Sequence, residues 1–207
     1  MGKAYLLRHA ETEYHVQKRL LGRLDIGLND RGREQAGRVA AYFKDEELAA
    51  IYSSPLKRCL ETAQPVAEAQ GLEPVIVEGL MEVDMGEWDG RLIEELFSGE
   101  DGMVERWMRN PSSVAIPGGE DFGAVKRRVM AAMGEIMARH TGFERVLVVT
   151  HGGPIRGIIC AALGMDLDNM FRLQIDLASI SCVDFFEGGL PDTAMVTLVN
   201  QTLHLKP

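Results

Sequence analysis

Tyr5-Leu6-Leu7-Arg8-His9-Ala10-Glu11-Thr12 begins with an apolar run and passes without a spacer to an arginine, a histidine, a small residue, a carboxylate and a hydroxyl. The apolar run reads as a buried strand, and the polar pair as what that strand delivers at its C-terminal end. In open α/β sheets, ligands bind outside that end. Imidazole is neutral near pH 7, nucleophilic, and able to carry a phosphoryl group. The neighbouring guanidinium is a permanent fork of donors matched to phosphate oxygens. A lone Arg-His pair is more often structural than chemical, so its meaning depends on the other strand ends.

Working outward, residues 15–29 read as irregular, with Gly22, Gly27 and the bases Lys18, Arg19 and Arg23. Helical spacing then appears in Ala36, Val39, Ala40 and Phe43, after a cap at Asn29 or Asp30. Ala49-Ala50-Ile51-Tyr52 is a short buried strand, and Ser54-Pro55 reads as the N-cap and first position of a helix carrying Arg58 in its first turn. Unpaired N–H groups and the helix dipole favour an anion there. Pro65 is expected to kink or shorten that helix. A third strand is expected over 74–77, and a long amphipathic helix over 120–140 ending at Thr141-Gly142. Residues 91–117, interrupted by Gly99, Gly102, Pro111 and Pro117, read as an inserted cover with short helical pieces. Val146-Leu147-Val148-Val149 is the run of a central parallel strand. It discharges into Thr150-His151-Gly152-Gly153-Pro154 and a helix through Leu163. The tail alternates like a hairpin around Gly188-Gly189. With no repeat, linker or low-complexity tract, residues 1–207 are expected to form a single domain.

Composition narrows the function classes. A net charge of −9 argues against nucleic acid. The charge is uneven: residues 1–23 hold five Lys/Arg against two carboxylates, whereas residues 73–105 hold eleven carboxylates and the single base Arg91. A basic patch in an acidic chain suits a small anionic substrate. No apolar run approaches the ~20 residues of a membrane span, and the first strand leaves no room for a signal peptide. Three cysteines without C-x-x-C spacing suggest neither a disulfide framework nor a zinc cage, so a cytoplasmic location is expected.

Three strands therefore end alike: at Arg8-His9, at the turn leading to Arg58, and at His151-Gly152-Gly153. In a parallel sheet these ends converge on one crevice, where two Arg and two His can hold a phosphate dianion. The glycines after His151 let backbone N–H groups approach closely at a helix start. His9 and His151 lack a third metal ligand at suitable spacing, and two arginines would repel a cation, so no metal and no cofactor is expected.

These motifs resemble the histidine phosphatase superfamily in its phosphoglycerate-mutase-like branch. Leu7-Arg8-His9-Ala10-Glu11-Thr12-Glu13 is similar to the family's Arg-His-Gly signature, and residues 53–63, Ser-Ser-Pro-Leu-Lys-Arg-Cys-Leu-Glu-Thr-Ala, to its second motif. Residues 82–90, Glu-Val-Asp-Met-Gly-Glu-Trp-Asp-Gly, resemble its Glu-x-x-x-Gly-x-Trp-[Glu/Asp]-Gly segment. Pro117-Gly118-Gly119-Glu120 and Thr150-His151-Gly152-Gly153 complete the series in order. The resemblance implies a three-layer αβα sandwich around a mostly parallel sheet, with the 91–117 segment covering the site.

It also implies roles. His9 attacks phosphorus and becomes phosphohistidine; Arg8, Arg58 and His151 neutralise the equatorial oxygens. Glu82 protonates the leaving alkoxide and then deprotonates water, which needs a carboxyl still protonated near working pH. His15, Leu21, Gly22 and Gly152 join Arg8, Arg58, Glu82 and His151 around the substrate. Three positions depart from the family pattern. Ala10 replaces the commoner Gly; His15 stands where many members have Asn, and its charge would add pH dependence; Leu21-Gly22 stands where Gln-Gly or Ser-Gly is common. A mutase needs a long lid and usually an ordered tail to keep its phosphoenzyme dry, and this chain ends soon after its last strand. Hydrolysis of a small phosphorylated metabolite, in the manner of α-ribazole or fructose-2,6-bisphosphatase-like phosphatases, is thus expected. The alternatives are phosphoglycerate-mutase-type phosphoryl transfer, and a non-catalytic phosphate-binding protein, which would have no need of Glu82. The edge-pairing tail offers a route to a homodimer.

Overall fold

The computed structural model describes residues 2–99, 102–140, 142–186 and 194–206. Its strands are β1 (Gly2–Arg8), β2 (Ala50–Ser53), β3 (Val75–Ile76), β4 (Arg145–Thr150), β5 (Ile180–Phe185) and β6 (Ala194–Gln201). They form one sheet in the order β3-β2-β4-β1-β5-β6. The first four strands run parallel, while β5 and β6 close one edge antiparallel. The helices are α1 (Glu13–Val16), α2 (Asp30–Tyr42), α3 (Lys57–Gln70), α4 (Ile93–Phe97), α5 (Met103–Arg109), α6 (Phe122–Ala138) and α7 (Gly152–Ala162).

Strand alternation divides the core in two. Ala4, Leu6, Val146 and Val148 face α6 and α7, whereas Tyr5, Leu7, Leu147 and Val149 face α2 and α3. Parallel strands buried on both faces read as continuous apolar runs, which is why β1 and β4 stand out in the sequence. The result is the expected αβα sandwich. β1 and β4 are neighbours, yet the chain leaves β1 toward the α2 layer and leaves β4 directly into α7 on the opposite face. Such a divergence opens a crevice at the carboxyl ends of the strands. In the 91–117 segment, Leu96, Val104 and Trp107 pack into the same apolar cluster as α6. Its start is tied down by Leu20 and Ile93 N–H groups, which donate to the carbonyls of Arg91 and Lys18. Among the described residues, no helix is long and apolar enough to cross a membrane.

Several local expectations are corrected. Residues 13–16 form a helical turn that overlaps the first two residues of the stretch read as irregular. α3 starts at Lys57 with Leu56 as its cap, because Ser54 still belongs to the sheet edge: its N–H donates to the Val149 carbonyl and its hydroxyl is paired with His151. α3 also continues past Pro65 to Gln70, so the proline does not shorten it. Thr62, Ala63, Val66 and Ala67 are buried on both sides of that proline, and this packing outweighs the one lost hydrogen bond. The long helix starts at Phe122, capped by Asp121, whose carboxylate accepts from the Ala124 N–H. Thr141 and the Gly188-Gly189 turn lie outside the described residues, although β5 and β6 do pair antiparallel.

Two of the motifs interlock. Gly86, at φ +47°, lies against the backbone of Pro117, Gly118 and Gly119, and a Cβ there would stand 2.5 Å from the Gly119 nitrogen. Gly119 is packed as closely on the Asp84 carbonyl. The Glu87 N–H donates to Pro117 O and the Glu120 N–H to Asp84 O, 2.9 Å each. Both the conformation and the space at position 86 demand glycine. Gly86→Ala is expected to lower stability by about 2 kcal/mol or more in urea denaturation. Gly134→Ala, inside α6 where an added Cβ meets nothing within 4 Å, is expected to raise it by about 0.5–1 kcal/mol.

Candidate active site

The parallel register places Arg8 beside Thr150 and Ser53 beside Val149, so β1, β4 and β2 end at one level. The next residues are His9, His151 and Ser54. The His9 N–H donates to the Thr150 carbonyl at 2.9 Å, and the His9 and His151 ring centroids lie 5.1 Å apart. The sites expected from sequence thus meet at one sheet edge, and a cavity of about 340 Å³ opens from it.

The His9 ring has a defined orientation. Its Nδ1 lies 2.8 Å from the Ala10 carbonyl oxygen, which can only accept, so Nδ1 carries the proton. A neutral ring then leaves Nε2 bare. Burial, and next the charges of Arg58, His151 and Arg8, hold the His9 pKa well below the usual histidine value. The ring is therefore neutral and able to act as a nucleophile at physiological pH. His151 is likewise held low by burial first and then by Arg58 and Arg8. Its Nε2 pairs with Ser54 Oγ at 2.8 Å and lies 3.4 Å from Cys59 Sγ. Burial pushes the Cys59 thiol up to about 12, so it stays neutral.

Arg58 has no exposed surface. Its Nη1 and Nη2 donate to the carbonyls of Leu24 and Gly22 at 2.8 and 2.6 Å. The loop supplying those carbonyls is shaped by Asp89, whose carboxylate accepts the N–H groups of Gly22, Arg23 and Leu24 at 2.7–3.0 Å. Arg8 donates through Nη1 to Ile175 O, and burial lowers its pKa to about 10, still protonated near neutrality. The Nε atoms of Arg8 and Arg58 are buried without a partner. Arg8 and His9 line the cavity, whereas Arg58 and His151 are fully buried and are not part of its lining; two cations beside two neutral imidazoles make a set chemically suited to phosphate.

Glu82 is buried on the cavity wall, its Oε1 accepting from the N–H groups of Val83 at 2.9 Å and Gly153 at 3.2 Å. A side chain at position 153 would run into that same oxygen, which accounts for the second glycine after His151. Arg128 supports the loop from behind: it donates to the carbonyls of Gly79, Met81 and Glu82 and forms two bonds to Glu120. His15 lines the cavity, but the expected charge is absent. Its Nδ1 accepts the Thr12 N–H, and burial together with Arg8 and Arg58 lowers its pKa to about 3. It is a neutral Nε2–H donor. Leu21 and Gly152 line the cavity as well. Gly22 stands behind it, its N–H and C=O committed to Asp89 and Arg58.

Sequence reading missed Arg156, which lines the cavity from the second turn of α7; a Cβ at Gly152 would stand 3.0 Å from its Nη1 and 3.5 Å from Arg8 Nε. Its position four residues after Gly152, on the same face of the same helix, was the available signal. Among the described residues, no group of three His, Cys, Asp or Glu side chains is arranged to hold a metal ion.

The model of the histidine phosphatase superfamily, branch 1, matches residues 4–197, and the chain belongs to that family. It is 38% identical over 205 residues to phosphoserine phosphatase 1 of Hydrogenobacter thermophilus, covering 99% of this chain and 95% of the relative. Among solved structures, YhfR of Bacillus stearothermophilus superposes with a TM-score of 0.91 at 30% identity, covering all of both chains. The mycobacterial glucosyl-3-phosphoglycerate phosphatase Rv2419c gives 0.88 at 26% identity, covering 97% of this chain and 99% of the other.

Neutral buried imidazoles make acid destabilising. The folded pKa values of His9, His15 and His151 lie below the unfolded value of about 6.5, so below that pH the unfolded chain binds more protons. Their stabilisation is complete above pH 6.5 and is lost as pH falls, by up to ~1.4 kcal/mol per unit for each ring. Urea midpoints are expected to be level from pH 8 to 7 and to drop between pH 6 and 4. The drop should be shallower in His15→Asn; equal slopes in the two proteins would contradict the assignment of His15 as neutral.

Proposed function

We propose that this chain is a phosphomonoester hydrolase that works through a phosphohistidine at His9, without a metal ion, on a small phosphorylated metabolite. The observation that carries the reading is the His9 ring: its Nδ1–H is fixed on Ala10, and its bare Nε2 stands beside arginines with unsatisfied donors. Relatives named as phosphatases, including the phosphoserine and glucosyl-3-phosphoglycerate enzymes, support the same reaction class.

In the first step His9 Nε2 bonds to phosphorus as the bond to the ester oxygen breaks, and Glu82 gives its proton to the departing alkoxide. In the second, the Glu82 carboxylate takes a proton from water, whose oxygen bonds to phosphorus while the P–N bond breaks. Phosphate leaves and His9 is neutral again. Arg8, Arg58 and His151 hold the charge that spreads over the transferring oxygens. His15 adds an uncharged donor, and Gly152 a backbone at the start of α7.

His9→Ala is expected to abolish hydrolysis of p-nitrophenyl phosphate while leaving the circular dichroism spectrum unchanged. Wild-type enzyme quenched during turnover of labelled ester should carry phosphate that is labile in acid and stable in alkali, as a P–N bond is. Glu82→Gln is expected to lower kcat/KM, which reports the phosphorylation step, about 10²–10⁴-fold on an alkyl phosphate. The loss should be smaller on p-nitrophenyl phosphate, whose leaving group needs no proton. Undiminished activity in His9→Ala would sink the proposal.

A further inference from the structure

The cavity does not end at the phosphate site. Beyond Glu82 its wall is formed by Met85, Phe97, Trp107, Met108, Phe122 and Phe171, with the α4–α5 cover supplying Phe97, Trp107 and Met108. Trp107 lies at the centre of this wall, its ring centroid 5.7 Å from Phe122, 5.0 Å from Phe171 and 5.6 Å from Trp88. At the mouth, Phe97 and Met108 remain 40% and 37% exposed. Large apolar side chains held half in water at the rim of a functional cavity mark a surface that a ligand is to cover.

Away from the reacting end, the charged groups of this compartment are two guanidiniums, Arg19 and Arg156. Arg19 donates to Gly90 O and Gln17 Oε1. Arg156 donates through Nε to Leu173 O, with its guanidinium 5.7 Å from the centre of the Phe171 ring. Among the described lining residues, Glu82 is the one carboxylate, and it faces the reacting end. An ammonium group on the leaving alcohol would therefore be desolvated with no acid to pair with. Because the compartment opens directly from His9, whatever alcohol is esterified to the phosphate must lie in it.

We infer that this compartment selects monoesters of apolar, aryl- or alkyl-bearing alcohols over those of zwitterionic alcohols such as serine, an inference that rests on the phosphatase reading above. The cover is then the specificity element.

Four esters test this: phenyl phosphate, 4-butylphenyl phosphate, hexyl phosphate and phosphoserine. The two phenols are closely matched leaving groups, so their ratio reports the pocket rather than the chemistry. The expected kcat/KM for the butyl compound is at least about tenfold above that of phenyl phosphate, the discrimination that a few methylenes support in an apolar pocket. Hexyl phosphate is expected to exceed phosphoserine although serine is the better leaving group. In the Phe97→Ser and Met108→Ser variants, both at exposed positions that should not impair folding, the butyl-to-phenyl ratio should fall toward one. Equal rates on the two aryl esters, faster phosphoserine hydrolysis, or an unchanged ratio in both variants would overturn the inference and leave the phosphatase reading intact. A wild-type enzyme inert on all four esters would overturn both.

Discussion

A guanidinium with no contact with solvent is the constraint around which this site is built. Burying Arg58 removes a full charge from water, a cost tolerable only if its N–H groups meet acceptors with good geometry. The carbonyls of Gly22 and Leu24 supply two, and they are aimed correctly because Asp89 gathers the three N–H groups of residues 22–24. Asp89 touches neither histidine, yet the cation beside them depends on it. The donor left over, Nε, has no protein partner. A site that has met most of the cost of holding its cations before an anion arrives needs little rearrangement to bind one.

Glu82 sits in a comparable frame of opposite sign. Arg128 threads the carbonyls of residues 79, 81 and 82, and Glu120 holds Arg128 by a two-pronged bond while also meeting Arg23. The proposed acid and the cationic nest are thus fixed through separate networks, both rooted in the loops at one sheet edge. The acidic excess noted over residues 73–105 is partly spent here: Glu82 faces the cavity, and Asp84 and Asp89 organise backbone.

Much of this was legible in the sequence, for physical reasons. β1 and β4 are buried on both faces and so announce themselves as unbroken apolar runs, which places Arg8, His9 and His151 at strand ends without any structure. Arg58 was legible from its place in the first turn of α3. Other features were not, because they depend on pairings between distant segments. Ser54 reads as a helix cap until His151 competes for its hydroxyl. Pro65 reads as a reason to shorten the helix until the buried faces flanking it are weighed. The neutrality of His15 follows first from burial and then from arginines that only the fold brings near. The apolar character of the pocket was hidden because its residues come from six separate stretches of chain.

The contact between Gly86 and the 117–119 backbone carries a consequence for descent. Two bare Cα positions are nested against each other's segments, so neither can acquire a side chain while the other loop keeps its path. Lineages of this chain should inherit the pair as a unit, drifting freely at Glu87 between them but exchanging the glycines only through a joint rebuilding of both loops. Thirty-odd residues apart in sequence, they behave as one hereditary character.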